Sequence, residues 1–165
     1  MLSSSGSRSA FFFATVFAVS LSAVLACSCR FQKPHVTYCL AHWTAHAVIE
    51  EVIANATIPG FEHSNNSDIQ YKVKYLEIFR SPEELNGTLP TDVYTPTEEA
   101  ACGLILEKGG EYLLSGRFIN DTSISMLCGQ ILYNITRGDD ILEWREVPKS
   151  IATNLKAHRY DAKCK

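Results

Sequence analysis

The chain has 165 residues, 46% of them hydrophobic, with 18 acidic side chains against 15 basic ones and a net charge of −3. That length bounds it to one domain of ordinary size with a real core. The weakly acidic balance gives no electrostatic reason to expect nucleic acid as a partner.

Residues 1–26 carry the pattern of a secretory signal peptide. Arg8 is its only charge, an apolar core runs over residues 11–19, and Val24 and Ala26 sit at −3 and −1 of a cleavage point. The apolar run over residues 10–26 is short for a membrane span and is broken by Thr15, Ser20 and Ser22, so no membrane anchor is expected. Val-Leu-Ala-Cys at 24–27 also loosely fits a lipidation box. Five N-glycosylation sequons, at Asn55, Asn65, Asn86, Asn120 and Asn134, favour a glycosylating secretory route instead, and hence a secreted, extracellular protein. Cutting after Ala26 leaves residues 27–165 as the mature domain, with 14 basic against 18 acidic side chains.

In chain order, Pro34 suits the first turn of a short helix that carries Cys39. Residues 45–58 turn apolar and β-branched (Val48, Ile49, Val52, Ile53), which predicts a long strand. The polar stretch 59–68 reads as an exposed connection. Residues 69–79 then alternate, with Ile69, Tyr71, Val73 and Tyr75 on one face and Lys72 and Lys74 on the other, as a half-buried strand does. Ser81-Pro82 and Asn86-Gly87 mark a loop. Short strands are predicted near 92–95, 103–107, 112–119 and 123–127, with Gly109-Gly110 as a tight turn. The tail, 139–160, has helical spacing with Pro148 as a boundary between two short helices. Short antiparallel strands with helices at either end predict a mainly β fold, a small closed five-stranded barrel of the oligonucleotide/oligosaccharide-binding (OB) type.

Little in the chain resembles an enzyme. His35, His42 and His46 cluster in sequence, but without the glutamate of a His-Glu-x-x-His zinc site. The carboxylate pairs Glu50-Glu51, Glu98-Glu99 and Asp139-Asp140 are adjacent residues, which a strand points to opposite sides. The cysteines carry more information. All six, at 27, 29, 39, 102, 128 and 164, lie in the mature domain, and an even count in an oxidising compartment implies three disulfides. Fifteen connectivities are open; Cys27 and Cys29 are too close to pair with each other, and the economical arrangement sends each early cysteine to a late one. After cleavage Cys27 carries a free α-amino group with pKa of about 8. That nitrogen and the carbonyl oxygen of the same residue can close a five-membered chelate ring on a metal ion. Disulfides at Cys27 and Cys29 would hold the pair rigid and reduce the entropy lost on binding.

Cys27-Ser-Cys29, Pro34, Cys39 ten residues after Cys29, 94-YTPTEEAACG-103, 111-EYLLSGR-117, Cys128 and Cys164 together resemble the amino-terminal, netrin-like domain of the tissue inhibitors of metalloproteinases (TIMPs), over essentially all of 27–165. The resemblance implies an OB-type barrel and the pairs Cys27–Cys102, Cys29–Cys128 and Cys39–Cys164. It implies a protein that is not an enzyme and holds no cofactor of its own. Instead, Cys27 would bind the active-site zinc of a target metalloproteinase of the matrix class. Ser28 would enter the specificity pocket beyond that zinc, and Cys29, Arg30 and Phe31 would continue along the cleft. Glu98, Glu99, Ala100 and Ala101 would line the cleft's other side. The protein would act as a monomer. Three features depart from the family pattern. The strand after Cys39 reads 43-WTAHAVIEEV-52, Arg30-Phe31 is bulkier and more charged than usual, and six cysteines instead of twelve imply that the smaller carboxy-terminal domain is missing. The alternative is a netrin-like extracellular binding module that leaves proteases untouched.

Overall fold

Pro34 stands at the start of the first element, where its fixed φ fits a helix and its missing N–H leaves no bond unmade. In the computed structural model, which describes residues 27, 29–60, 68–97, 102–131 and 141–164, this is helix α1 (Pro34–Leu40). Five strands follow: β1 (Trp43–Ala56), β2 (Asp68–Arg80), β3 (Asp92–Pro96), β4 (Glu111–Ile119) and β5 (Thr122–Ile124). A second helix, α2 (Lys149–Lys156), starts directly after Pro148. No helix among the described residues is long and apolar enough to cross a membrane.

The strands close into a barrel in the order β1-β2-β3-β5-β4, the five-stranded arrangement expected of an OB-type fold. The long β1 is shared by two neighbours. It pairs with β4 from Trp43↔Gly116 to Val48↔Glu111, and with β2 from Thr44↔Arg80 to Ala56↔Asp68. Its pairing with β2 slips at four places, and such bulges bend a strand as a small barrel requires. Gly116 is needed where β1 and β4 meet: a Cβ there would lie 2.5 Å from the Ile124 carbonyl oxygen and from the Trp43 ring. Asn120 and Asp121, both left-handed at φ 48° and 60°, form the two-residue β4–β5 turn, whose twist matches that of the strands.

Several expectations need correction. The first two strands begin earlier than predicted, at Trp43 and Asp68, and Asp68 is buried rather than part of an exposed connection. Residues 61–67 of that connection lie outside the described residues. Not all pairs are antiparallel: β3 and β5 run parallel, Val93↔Ser123 and Tyr94↔Ile124. The predicted strand 123–127 divides into β5 and a 3-10 turn over Leu127–Gly129. The predicted strand 103–107 is absent, for reasons given below.

Two apolar clusters hold the fold. Inside the barrel, Trp43, Ala45, Ala47, Ile49, Tyr71, Val73, Val93, Leu104, Leu114 and Leu127 pack together, with Cys27, Cys29 and Cys102 against them. On the outer side, Tyr38 of α1, Phe79, Leu113, Ile131 and Val147 meet Ile151 and Leu155 of α2, and Cys39 and Cys164 pack on this second cluster. β4 serves both, because Leu114 faces inward and Leu113 outward, as alternation along a strand dictates.

Candidate functional site: a cross-linked amino terminus

Three disulfides join Cys27–Cys102, Cys29–Cys128 and Cys39–Cys164, with Cα–Cα separations of 5.2, 5.0 and 5.1 Å. These are the pairs that the resemblance implies. The first two stack: the Cys27 sulfur lies 3.8 Å from those of Cys29 and Cys128, and Cys128 Sγ is 3.5 Å from Cys102 Sγ. Four sulfurs within 4.8 Å have the spacing of a metal site. Both pairs are oxidised and no cysteine is free, so no thiolate is present to ligate an ion. Their role here is to fix the chain: residues 27–29 are fastened to the body at every second residue.

The body side of these anchors is itself held by buried polar side chains. Cys102 has φ 57°, an uncommon conformation for a residue with a Cβ, and its carbonyl accepts the Leu127 N–H at 2.8 Å. One residue beyond Gly103, the Leu104 N–H donates to Thr95 Oγ1 at 2.9 Å. The Tyr71 hydroxyl donates to the Leu104 carbonyl at 2.9 Å and accepts the Leu106 N–H at 3.1 Å, and the Glu107 N–H reaches the Tyr112 hydroxyl at 3.2 Å. Four backbone groups of residues 104–107 are therefore satisfied by side-chain oxygens instead of a strand ladder. That is why the predicted strand is not one. Burial raises the Tyr71 pKa above its ordinary value of 10.0, so this hydroxyl stays a donor at any physiological pH. The alternation in 69–79 gives Tyr71 a strand face but not its hydroxyl's partners, and Thr95, within the strand expected at 92–95, has no sequence signal for its bond to Leu104.

The chain matches the family described as tissue inhibitor of metalloproteinase over residues 25–165. It belongs to that family. A Caenorhabditis elegans relative named "Putative metalloproteinase inhibitor tag-225" is 33% identical over 147 residues, which cover 86% of this chain and 92% of that protein. Metalloproteinase inhibitor 4 of Mus musculus is 29% identical, and that of Rattus norvegicus 27%, each over 111 residues and 64% of this chain. Those matches take in 47% of each rodent protein, so the chain spans about half the length of those two relatives. The TIMP family is one of protease inhibitors, which are not themselves enzymes.

Of the contact residues expected from sequence, four are among the described residues: the two cross-linked cysteines and the two residues that follow them. Cys27 and Cys29 are half-buried, Arg30 is exposed, and Phe31 is 41% exposed, a large apolar ring open to solvent. Ser28, Glu98, Glu99, Ala100 and Ala101 lie outside the described residues. The three histidines do not form a site. His46 is buried in β1, stacked on Trp144 at 3.9 Å and 3.0 Å from Glu111, while exposed His42 bonds the Phe118 backbone and His35 lies beside Tyr160. Of the sequons, Asn55, Asn86 and Asn120 are exposed and left-handed, and Asn65 and Asn134 lie outside the described residues.

Proposed function

We propose that this TIMP-family chain is a secreted, monomeric inhibitor of zinc metalloproteinases of the matrix class, acting through the amino terminus of Cys27. Signal peptidase removes residues 1–26, and the bared α-amino nitrogen and the Cys27 carbonyl oxygen chelate the catalytic zinc of the target. A catalytic zinc keeps one position open for water; the α-amino nitrogen would take that position and the carbonyl oxygen would add a fifth ligand, expelling the nucleophile. The inhibitor needs no cofactor of its own. Ser28 enters the pocket beyond the zinc, Cys29, Arg30 and Phe31 run along the cleft, and Glu98, Glu99, Ala100 and Ala101 cover its other edge. The observation that carries this reading is the double tether of residues 27 and 29 to Cys102 and Cys128, in a chain whose family is that of metalloproteinase inhibitors. A tether of this kind fixes the chelating atoms before binding and so lowers the entropy lost on association.

The test is an inhibition panel run with two forms of the protein, one beginning at Cys27 by intact mass and one carrying an additional alanine before it. Both should fold with three disulfides. The form starting at Cys27 should inhibit, and the extended form should lose at least about 100-fold, near 2.8 kcal/mol at 1.4 kcal/mol per tenfold. Equal inhibition by both would overturn the mechanism, and no inhibition by either would favour a binding module. Inhibition should also weaken toward acid pH once the enzyme's own titration is subtracted, because metal binding must displace the ammonium proton.

A further inference from the structure

The turn that carries Cys128 is fastened to the barrel by one buried amide. Gln130 is 2% exposed. Its Oε1 accepts the Ser115 N–H at 3.0 Å, and its Nε2 faces the Ser115 carbonyl at 2.8 Å, Ser125 Oγ at 3.0 Å and the Met126 carbonyl at 2.8 Å. An N–H on one side and carbonyls on the other settle which end of the amide is which. Ser125 Oγ in turn donates to the Ser115 carbonyl at 2.7 Å, and Thr44 Oγ1 meets Ser115 Oγ at 3.1 Å. Burying an amide is unfavourable unless its polar atoms are all matched, and packing alone would be served by an apolar residue of this size. Here both ends of the amide are matched, and they connect two things: Ser115 in β4, and the 126–130 turn on which Cys128 sits.

The connection reaches both anchors of the amino terminus. Cys128 bonds Cys29 directly, and Leu127, in the same turn, donates its N–H to the Cys102 carbonyl, whose side chain bonds Cys27. We infer that Gln130 is a positioning residue for inhibition: by locking the 126–130 turn to β4 it sets where the two disulfides hold residues 27–29. This rests on the proposed inhibitory function, and adds a residue that touches neither protease nor metal.

The experiment compares Gln130→Met, which keeps volume but removes the hydrogen bonds, with Ile151→Ala in the second cluster, both in protein beginning at Cys27. Two quantities are read well below every variant's melting temperature. One is the inhibition constant on a panel of matrix metalloproteinase catalytic domains. The other is the rate at which dithiothreitol opens Cys29–Cys128 relative to Cys39–Cys164, followed by alkylation and mass spectrometry. Gln130→Met should weaken inhibition about tenfold or more through lost preorganisation and accelerate the opening of Cys29–Cys128 relative to Cys39–Cys164. Ile151→Ala should lower the melting temperature without changing inhibition or the opening of Cys29–Cys128. Inhibition by Gln130→Met within about twofold of the original, with an unchanged ratio, would overturn the inference. So would parallel losses in both variants that track melting temperature alone. Should Gln130→Met fail to fold, Ser125→Ala removes one partner of the amide and must shift the same two readouts in the same direction. If the unaltered protein inhibits nothing on the panel, the functional reading falls, and the ratio of opening rates alone decides the role of Gln130.

Discussion

Tyr71 carries much of the local argument with a single hydroxyl. It bridges the Leu104 carbonyl and the Leu106 N–H, two buried backbone groups that no strand satisfies. Tyr71→Phe would keep the ring and strand both groups, so it should lower unfolding free energy by about 1–3 kcal/mol, the usual result of leaving buried polar groups unpaired. Urea unfolding measures this, and an unchanged midpoint would contradict it. The alternation in 69–79 was enough to send Tyr71 inward; its hydroxyl's task was hidden because the partners lie 33 and 35 residues away. The histidines fail in the opposite sense. Their closeness in sequence looked like a cluster, yet helix α1 ends at Leu40, and the following strand and the distant Trp144 separate their surroundings.

Among the elements, β2 was legible because its period-two pattern is strong through Tyr75. Beyond it the pattern shifts and Phe79 turns to the second cluster, which no local signal announces. Segment 103–107 looked like a strand for a sound reason, since Leu104 and Leu106 alternate inward around an Ile105 that is 77% exposed. Periodicity reports which side faces the core, and it cannot report where the backbone bonds go. The strands also bury tyrosines with a titration consequence. Tyr38, Tyr71 and Tyr75 all have pKa values raised above 10.0, chiefly by burial, and beside Tyr38 the Asp161 carboxylate adds to the effect. A raised folded-state pKa means that the folded protein keeps protons the unfolded chain gives up. The stabilisation is full below pH 10.0 and is lost as pH rises past it. Chemical denaturation between about pH 8 and 11 should therefore show stability falling above pH 10, less steeply in Tyr75→Phe. A flat profile would count against the burial of these phenols.

Across the molecule, the three cross-links divide between the two clusters. Cys27–Cys102 and Cys29–Cys128 pack on the barrel core, and Cys39–Cys164, closing a separation of 125 residues, joins α1 to the carboxy-terminal segment. Replacing Cys39 and Cys164 by alanine together should reduce stability by about 2–5 kcal/mol while leaving inhibition intact at temperatures where the protein stays folded. Inhibition lost in step with that pair would mean that the terminus is not independently anchored. The barrel and its flanking helices could be anticipated from the succession of short strands, turn residues and proline positions. The parallel β3–β5 contact that closes it could not, because it joins segments about 30 residues apart with only two paired positions. The cross-linking of the amino terminus was its most legible feature, because a closely spaced cysteine pair is a local signal, whereas Gln130 and Thr95 act through tertiary neighbours.

The central claim concerns two atoms of Cys27, and a crystal structure of the mature protein bound to a matrix metalloproteinase catalytic domain addresses it directly. The account predicts the α-amino nitrogen and the carbonyl oxygen of Cys27 on the enzyme's zinc at about 2.0–2.2 Å, with the solvent ligand gone. A zinc that retains its water, with residues 27–31 outside the cleft, would contradict it.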